Sequence, residues 1–252
     1  MKKQRLDVVL VERGLAETRS KAQSLIMARR VTVNGLYVDK AGAGVGGEDE
    51  VAVVTLEHPW VGRGGMKLAH ALSEFGIDVR GKVCADVGAS TGGFTDVMLK
   101  NGAARVYAID VGYGQLDVSL RNDPRVINRE KVNARYLEAA DFEEPIGFVS
   151  IDVSFISLTM ILPAVAKFLR GELVALIKPQ FEVGKADIGK GGIVRDEAKR
   201  AAAVQSVVGF ARELFDVKGV IESPVKGAEG NVEYLMHATT GTPAAPPSTT
   251  AE

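Results

Sequence analysis

The chain has 252 residues, of which 46% are hydrophobic and 25% charged, and 28 are glycines. This composition is typical of a globular enzyme, and the length allows two domains. No apolar run reaches the roughly 20 residues that span a bilayer, and no apolar signal core follows the basic start. With one cysteine, Cys84, no internal disulfide can form, which favours a cytoplasmic location.

The charge is distributed unevenly along the chain. The net charge is −1, but residues 1–40 hold nine Lys or Arg against four Asp or Glu. A basic end on a mildly acidic body is typical of a protein that grips a polyanion with that end, although a solvated basic surface gives the same pattern.

The amino-terminal segment predicts a small α+β module. Leu6, Val9 and Leu10 have helical spacing and stop at Gly14, and a second apolar helix follows over about residues 20–27. The dipeptide at residues 34–35, Asn-Gly, predicts a tight hairpin, and residues 51–56 would close its sheet. This run resembles the RNA-binding domain first described in ribosomal protein S-four, although a protein-docking module stays an alternative.

Basic residues of this module, of the connector and of a later glycine-rich loop are predicted to contact RNA. They are Arg5, Arg19, Lys21, Arg29, Arg30, Arg63, Lys185 and Lys190. The last two lie in a near-match to a phosphate-binding G-x-x-x-x-G-K loop. Gly191 occupies the place of the Ser or Thr that would bind magnesium, so an RNA-facing loop is the preferred interpretation.

From residue 83 onward, short apolar runs alternate with amphipathic segments, which predicts a Rossmann-like, doubly wound and mostly parallel sheet. The predicted strands are 83–87, 106–109, 126–128, 148–153, 173–178, 217–221 and 232–237, with helices at 66–75 and 196–215. We expect ligands beyond the carboxyl ends of the strands. The predicted division is an RNA-binding domain at 1–57, a connector at 58–65, a catalytic domain at 66–240 and a disordered tail at 241–252.

A loop of small residues follows the first strand of this sheet. It runs from Asp86 to Phe94, and Asp110 lies 24 residues after Asp86, where it can bind a ribose diol. This spacing alone does not separate NAD from S-adenosylmethionine. The order G-x-S-x-G-G and the preceding aspartate favour S-adenosylmethionine over a pyrophosphate. The predicted cofactor contacts are Asp86, Gly88, Ala89, Ser90, Gly92, Gly93, Phe94, Asp110, Val111, Asn133 and Asp152.

Four ionisable residues at the ends of predicted elements are candidates for catalysis: Lys67, Asp152, Lys178 and Glu233. Asp152 and Lys178 interrupt apolar runs, where an unpaired charge would be costly. A ribose 2′-hydroxyl needs a base to become a nucleophile. Two neighbouring amines disfavour charge on each other, so one can accept the proton while the carboxylates orient it. The choice between the two lysines stays open.

Six motifs together resemble the TlyA family, which are FtsJ-like ribose 2′-O-methyltransferases with an S-four-like domain in front. The motifs are Gly65-Met66-Lys67-Leu68, residues 86–94, Asp110-Val111-Gly112-Tyr113-Gly114-Gln115, Asp152-Val153-Ser154-Phe155-Ile156-Ser157, Lys178-Pro179-Gln180-Phe181-Glu182 and Gly230-Asn231-Val232-Glu233-Tyr234. The resemblance implies a class I S-adenosylmethionine-dependent fold and a Lys-Asp-Lys-Glu catalytic set. It also implies methylation of cytidine in 16S or 23S ribosomal RNA within ribosomal subunits. The short proline-rich end slightly favours 23S.

Other functions predict other features. A nicotinamide-dependent oxidoreductase would share the fold but leave Lys67 and Lys178 without a role. A non-catalytic RNA-binding or membrane-lytic protein would fit the haemolysin label that some family members carry, but the sequence gives that label no physical support. No metal is expected, because the three histidines lack the spacing of ligands.

Overall fold

The amino-terminal unit of the computed structural model packs two helices on a small antiparallel sheet. The structure describes residues 3–27, 30–54, 58–184, 187–189, 191–227 and 230–241, so most of the predicted tail lies outside the described residues. The chain divides into two units, residues 1–59 and 60–252. The elements of the first are β1 (Gln4–Arg5), α1 (Leu6–Glu12), α2 (Arg19–Met27), β2 (Val31–Val33), β3 (Leu36–Tyr37), β4 (Gly44–Val45) and β5 (Val51–Val53).

The hairpin between β2 and β3 has the predicted turn. Asn34 and Gly35 both have positive φ, 52° and 77°, as a type I′ turn requires. Strand β5 pairs with the other edge of β2, giving the order β3-β2-β5. A second pair, β1 with β4, was not predicted from the sequence, because strands of two residues show no periodicity.

The second unit is built on seven strands. Its elements are α3 (Gly64–Phe75), β6 (Val83–Val87), α4 (Gly93–Lys100), β7 (Arg105–Ile109), α5 (Val118–Arg121), β8 (Val126–Arg129), β9 (Ile146–Ile151), α6 (Leu162–Phe168), β10 (Leu169–Ile177), α7 (Pro179–Glu182), α8 (Glu197–Ala211), β11 (Asp216–Glu222) and β12 (Tyr234–Thr239). Short 3-10 helices lie at Ala134–Tyr136, Ala139–Asp141 and Leu158–Met160.

The strand order is β11-β12-β10-β9-β6-β7-β8. Five neighbours, β10 to β8, are parallel, whereas β12 runs antiparallel to both β10 and β11. This mostly parallel, doubly wound sheet confirms the predicted fold class. The antiparallel strand inside the sheet differs from the six-stranded dinucleotide-binding order.

Apolar side chains fill both faces of this sheet. Neighbours in one strand, such as Phe148 and Val149, point to opposite faces and both are fully buried. This two-sided burial explains why the strands read as continuous apolar runs. The predicted helix at 196–215 is shorter in the structure: Asp196 caps its first turn and α8 ends at Ala211.

The connector predicted at residues 58–65 differs from the structure. From Trp60 onward it packs on the second unit, because the backbone N–H of Val61 donates to Asp96 at 2.9 Å and the Trp60 side chain lies against Gly65. Residues 64 and 65 form the first turn of α3. The division of the chain into domains otherwise stays a prediction.

Candidate active site

The predicted functional residues of the second unit gather at one edge of the sheet. Asp110, Asp152 and Lys178 directly follow β7, β9 and β10, which are parallel, so their carboxyl ends meet at the same edge. Glu233 directly precedes β12. Since β12 is antiparallel, its amino end lies at this edge too. The topology therefore brings together residues that are far apart in the sequence.

A cavity of about 450 Å³ lies at the ends of β7 and β9, and we name it the Asp110 cavity. Its volume suits a nucleoside-sized ligand. It is lined by Gly88, Ser90, Ile109, Asp110, Val111, Gln115, Val132, Asn133, Ala134, Asp152, Val153, Ser154, Phe155, Ile156 and Ile161. Most of these walls are apolar, and Asp110 contributes a carboxylate.

The carboxylate of Asp110 is held in place by backbone donors. Its Oδ2 accepts from the N–H of Ser90 and its Oδ1 from the N–H of Gly112, both at 2.7 Å. Each oxygen has a further lone pair for a ligand hydroxyl. A fixed carboxylate beside apolar walls fits a ribose diol and an adenine ring, so these residues fit the adenosyl part of S-adenosylmethionine.

A second cavity, of about 320 Å³, lies beside the first, and we name it the Lys67 cavity. It is lined by Gly62, Arg63, Gly64, Lys67, Gly88, Ala89, Ser90, Thr91, Gly93, Phe94, Asp152, Val225, Lys226 and Gly227. Three basic side chains among these residues make this cavity the more cationic of the two.

The two cavities share Gly88, Ser90 and Asp152. Gly88 has φ +87°, and a Cβ on it would lie 2.3 Å from the carbonyl oxygen of Asp152. Only glycine permits this close approach of the two strand ends. A ligand in one cavity is therefore next to a ligand in the other, with Asp152 at the junction.

Lys67 and Glu233 form a buried ion pair on one side of this junction. The Nζ of Lys67 donates to Oε2 of Glu233 at 2.5 Å, and their side chains are 11% and 2% exposed. Gly227 packs against the carboxylate, since a Cβ there would lie 2.0 Å from Oε1. Because a charge buried this deeply is costly without a partner, the pair holds the Lys67 amine at the cavity wall.

Lys178 and Asp152 form the second ion pair. The Nζ of Lys178 lies 2.6 Å from Oδ1 of Asp152 and donates to the hydroxyl oxygen of Ser154 at 3.0 Å. Ile177 pairs with Tyr234 across β10 and β12, so the same register places Lys178 beside Glu233. All four predicted catalytic residues thus lie around the junction, as two ion pairs.

Nine of the eleven predicted cofactor residues line one of the two cavities, and Asp86 and Gly92 are the exceptions. Asp86 is fully buried, accepting from the hydroxyls of Thr95 at 2.7 Å and Ser150 at 3.0 Å. Its burial raises its pKa to about 7. Gly92 faces Leu116 and Leu120. Neither residue lines a cavity, and direct contact of either with the cofactor stays a prediction.

Sequence reasoning missed one wall of the Lys67 cavity. Val225, Lys226 and Gly227 belong to the segment between β11 and β12, and none of them stands in a motif that the sequence singled out. Ser154 was likewise not proposed as a partner of Lys178. The proximity of Gly227 to Glu233 depends on strand pairing and has no local signal in the sequence.

In the first unit, two of the predicted RNA contacts surround one buried acid. Asp7 is fully buried and accepts from Arg5 at 2.9 and 3.0 Å, from Gln23 at 2.8 Å and from Arg19 at 3.0 Å. These donors, Arg5 first, hold the pKa of Asp7 well below its usual value. Arg5 and Arg19 keep about half of their side-chain surface exposed, 51% and 57%. They therefore stabilise the unit and still face solvent.

The other predicted RNA contacts lie in different settings. Lys21 is exposed on α2, while Arg30 donates to the carbonyl of Val54 at 3.4 Å. Arg63 is exposed at the rim of the Lys67 cavity. Arg29, Lys185 and Lys190 lie outside the described residues. Contact of any of these side chains with RNA stays a prediction.

Two features are absent from the part of the chain that the structure describes. No helix there has the length and apolar character needed to cross a membrane. No three His, Cys, Asp or Glu side chains there come together as a metal site.

Comparison with known proteins gives a consistent set of matches. The FtsJ-like methyltransferase model matches residues 60–240, and the S4 domain model matches residues 4–51. The chain is 48% identical over 242 residues to the 16S/23S rRNA (cytidine-2'-O)-methyltransferase TlyA of Mycobacterium tuberculosis, covering 94% of this chain and 90% of that protein. It is 45% identical over 237 residues to Hemolysin A of Brachyspira hyodysenteriae, covering 92% and 98%.

A solved structure agrees with these relatives. A Streptococcus thermophilus protein, named as a candidate hemolysin, is 47% identical with a TM-score of 0.73, and the match covers 95% of this chain and 89% of that chain. The likeness therefore extends over both units of the chain.

Proposed function

Because the chain belongs to the TlyA family of FtsJ-like methyltransferases, we propose that it methylates the ribose 2′-hydroxyl of a cytidine in ribosomal RNA, using S-adenosylmethionine. The printed name of the Mycobacterium tuberculosis relative supports cytidine and ribosomal RNA as the substrate class. Ribosomal subunits in the cytoplasm are the proposed partner and location. The proposal includes 16S and 23S RNA as possible targets.

One observation carries this proposal: two lysine–carboxylate ion pairs flank the junction between two adjoining cavities. A methyl transfer needs the donor on one side of a short gap and the acceptor oxygen on the other, in line. The Asp110 cavity suits the adenosyl group of the donor. The Lys67 cavity, with Arg63, Lys67 and Lys226 in its wall, suits a ribose and its anionic phosphates.

In the donor site, the role of the protein is to orient S-adenosylmethionine. Asp110 would accept hydrogen bonds from the ribose hydroxyls of the donor, and the apolar walls of the same cavity would cover its adenine. Gly88 keeps the backbone close to the junction. When bound, S-adenosylmethionine supplies an electrophilic methyl carbon attached to a positively charged sulfur.

The neutral amine of Lys178 is the proposed acceptor of the 2′-hydroxyl proton, so the ammonium group must first release one proton to solvent. Its Nζ lies 2.6 Å from Asp152, which lines both cavities, so its amine is next to the wall that the two cavities share. Asp152 and Ser154 fix the direction of the amine. Lys67, paired with Glu233, lines the acceptor cavity, where the remaining N–H groups of its amine would orient the ribose oxygen.

The test is methylation of unmodified ribosomal subunits with labelled S-adenosylmethionine. We expect label in cytidine ribose, identified by nuclease digestion and mass spectrometry and located by primer extension at low nucleotide concentration. Lys178→Ala should lower kcat by about 10²- to 10⁴-fold with cofactor affinity retained. Lys167→Ala removes a surface ion pair with Glu138 and serves as the control. Label in a base or in protein would refute the proposal.

The alternatives make separate predictions. An oxidoreductase would bind NAD in calorimetry, but the antiparallel β12 within the sheet argues against that fold. A non-catalytic RNA-binding or lytic protein would leave every RNA unlabelled. It would also keep RNA binding or lysis in Lys178→Ala.

A further inference from the structure

Glu182, at the end of α7, holds the far end of the loop that begins with Asp152. Its Oε1 accepts from the backbone N–H of Leu158 at 2.9 Å, and its Oε2 accepts from the Ser157 hydroxyl at 2.6 Å. Leu158 begins a 3-10 helix, so the first contact satisfies a donor that the helix leaves free. Both carboxylate oxygens are thus used on one short segment.

The loop held in this way, residues 152–157, carries much of the proposed site. Asp152 and Ser154 contact the Lys178 amine, and residues 152–156 line the Asp110 cavity. Lys178 and Glu182 stand at the two ends of α7. The Asp152 loop is therefore fastened to the α7 segment at both ends, by Lys178 at the start and by Glu182 at the finish.

The middle of the loop is strained. Phe155 has φ +63°, a left-handed conformation that non-glycine residues rarely adopt, and its side chain is 91% exposed. Its ring lies 5.0 Å from that of Phe181, the residue before Glu182. A backbone in this region persists only where its surroundings hold it. Polar bonds flank the strained residue on both sides, from Lys178 to Ser154 before it and from Ser157 and Leu158 to Glu182 after it.

Resting on the function proposed above, we infer that Glu182 is a positioning residue for the Asp152–Lys178 pair. It fixes the loop so that the Asp152 carboxylate and the Ser154 hydroxyl keep the Lys178 amine at the junction of the cavities. Burial raises the pKa of Glu182, so the fold keeps this carboxyl in place at a cost in solvation.

The test compares Glu182→Ala and Glu182→Gln with Asp196→Ala. Asp196 also accepts two hydrogen bonds, from the N–H groups of Ala198 and Lys199, but it caps α8 and lines neither cavity. We expect Glu182→Ala to lower kcat by about 10- to 100-fold, because small displacements of a catalytic group have effects of this size. RNA affinity should stay unchanged. Glu182→Gln keeps one acceptor oxygen and should recover part of kcat.

Hydrogen exchange separates positioning from loss of stability. The segment 152–160 should exchange faster in Glu182→Ala than in Asp196→Ala when both variants are compared at equal distance below their melting temperatures. The inference is refuted if kcat in Glu182→Ala equals that of Asp196→Ala, or if the loss lies wholly in cofactor affinity. If Glu182→Ala does not fold, a native Glu182→Gln with full kcat and wild-type exchange refutes it.

These arms also distinguish the two proposals. If the wild-type protein places no label in ribose, the proposed function fails, and hydrogen exchange still reports whether Glu182 holds the loop. If the wild type methylates ribose and Glu182→Ala does so at the control rate, only the inference about Glu182 fails.

Discussion

The amine of Lys67 lies 2.5 Å from the carboxylate of Glu233, although 166 positions separate the two residues in the chain. Breaking a buried pair leaves one charge without a partner, which destabilises a protein by about 3–5 kcal/mol. Glu233→Ala should therefore lower the free energy of unfolding, measured in urea, and should abolish methyl transfer. The double variant Lys67→Met with Glu233→Leu should recover most of that stability and remain inactive. An active double variant would show that the pair serves only the fold.

Gly88 should be irreplaceable for cofactor binding. Alanine at this position meets two obstacles, a φ of +87° and a Cβ 2.3 Å from the Asp152 carbonyl oxygen. Gly81 has φ +68° with open space around it, so Gly81→Ala meets only the first. Backbone strain should lower the stability of both variants by about 1–3 kcal/mol. In calorimetry, only Gly88→Ala should lose affinity for S-adenosylmethionine. If both variants bind S-adenosylmethionine equally well, Gly88 does not form part of the cofactor site.

Asp86 should make stability depend on pH. Burial raises its pKa from 3.8 to about 7, so between these values the folded protein binds a proton that the unfolded chain does not. The contribution of Asp86 to stability therefore falls as pH rises from about 4 to about 7. Asp86→Asn removes this dependence. We compare the free energy of unfolding of the variant with that of the wild type by chemical denaturation. This difference should shift in favour of the variant by on the order of 2–4 kcal/mol between pH 5 and pH 8.

The control for that measurement is Asp78→Asn. Asp78 is exposed, and its hydrogen bond with Arg80 lowers its pKa below the value of 3.8 in the unfolded chain. The contribution of Asp78 to stability is therefore fully present above pH 3.8 and is lost only as the pH falls through the lowered pKa. Its effect should be flat between pH 5 and pH 8. If Asp86→Asn gives the same flat difference, Asp86 does not titrate in the fold as described.

Lys21 and Arg19 should differ in what their removal changes. Lys21 is exposed, so Lys21→Ala should weaken RNA binding, reduce the slope of log affinity against log salt by about 1 and leave the melting temperature unchanged. Arg19 donates to the buried Asp7, so Arg19→Ala should lower both RNA affinity and thermal stability. Anisotropy in a salt series measures the first effect and calorimetry the second. If the slope of log affinity against log salt is unchanged in Lys21→Ala, Lys21 does not contact RNA.

The sequence was informative where a structural requirement is local. The Asn34-Gly35 turn needs two positive φ values, and the strands of the large sheet needed only apolar runs, so both were predicted close to their observed bounds. The meeting of Asp110, Asp152 and Lys178 followed from parallel strands. The strand ends differ more, and β10 begins at Leu169, four residues before its predicted start.

The remainder depends on packing between distant segments. Whether Asp86 faces a cleft or a core is decided by Thr95 and Ser150, which lie 9 and 64 residues away. The place of Gly227 beside Glu233 depends on the pairing of β11 with β12. No periodicity or motif records such contacts, which is why the burial of Asp86 was not predicted and one cavity wall was missed.

Gly88, Ser90 and Asp152 form a wall that the two cavities share, and this has a consequence for inhibition. A compound that joins an adenosine-like group to a cytidine-like group through a short link would occupy both cavities with one loss of translational freedom. Such a molecule should bind more tightly than either half, because binding of the first group places the second at high effective concentration. The link would have to pass Asp152 without a bulky substituent, since glycine and serine backbone leave little room at that point.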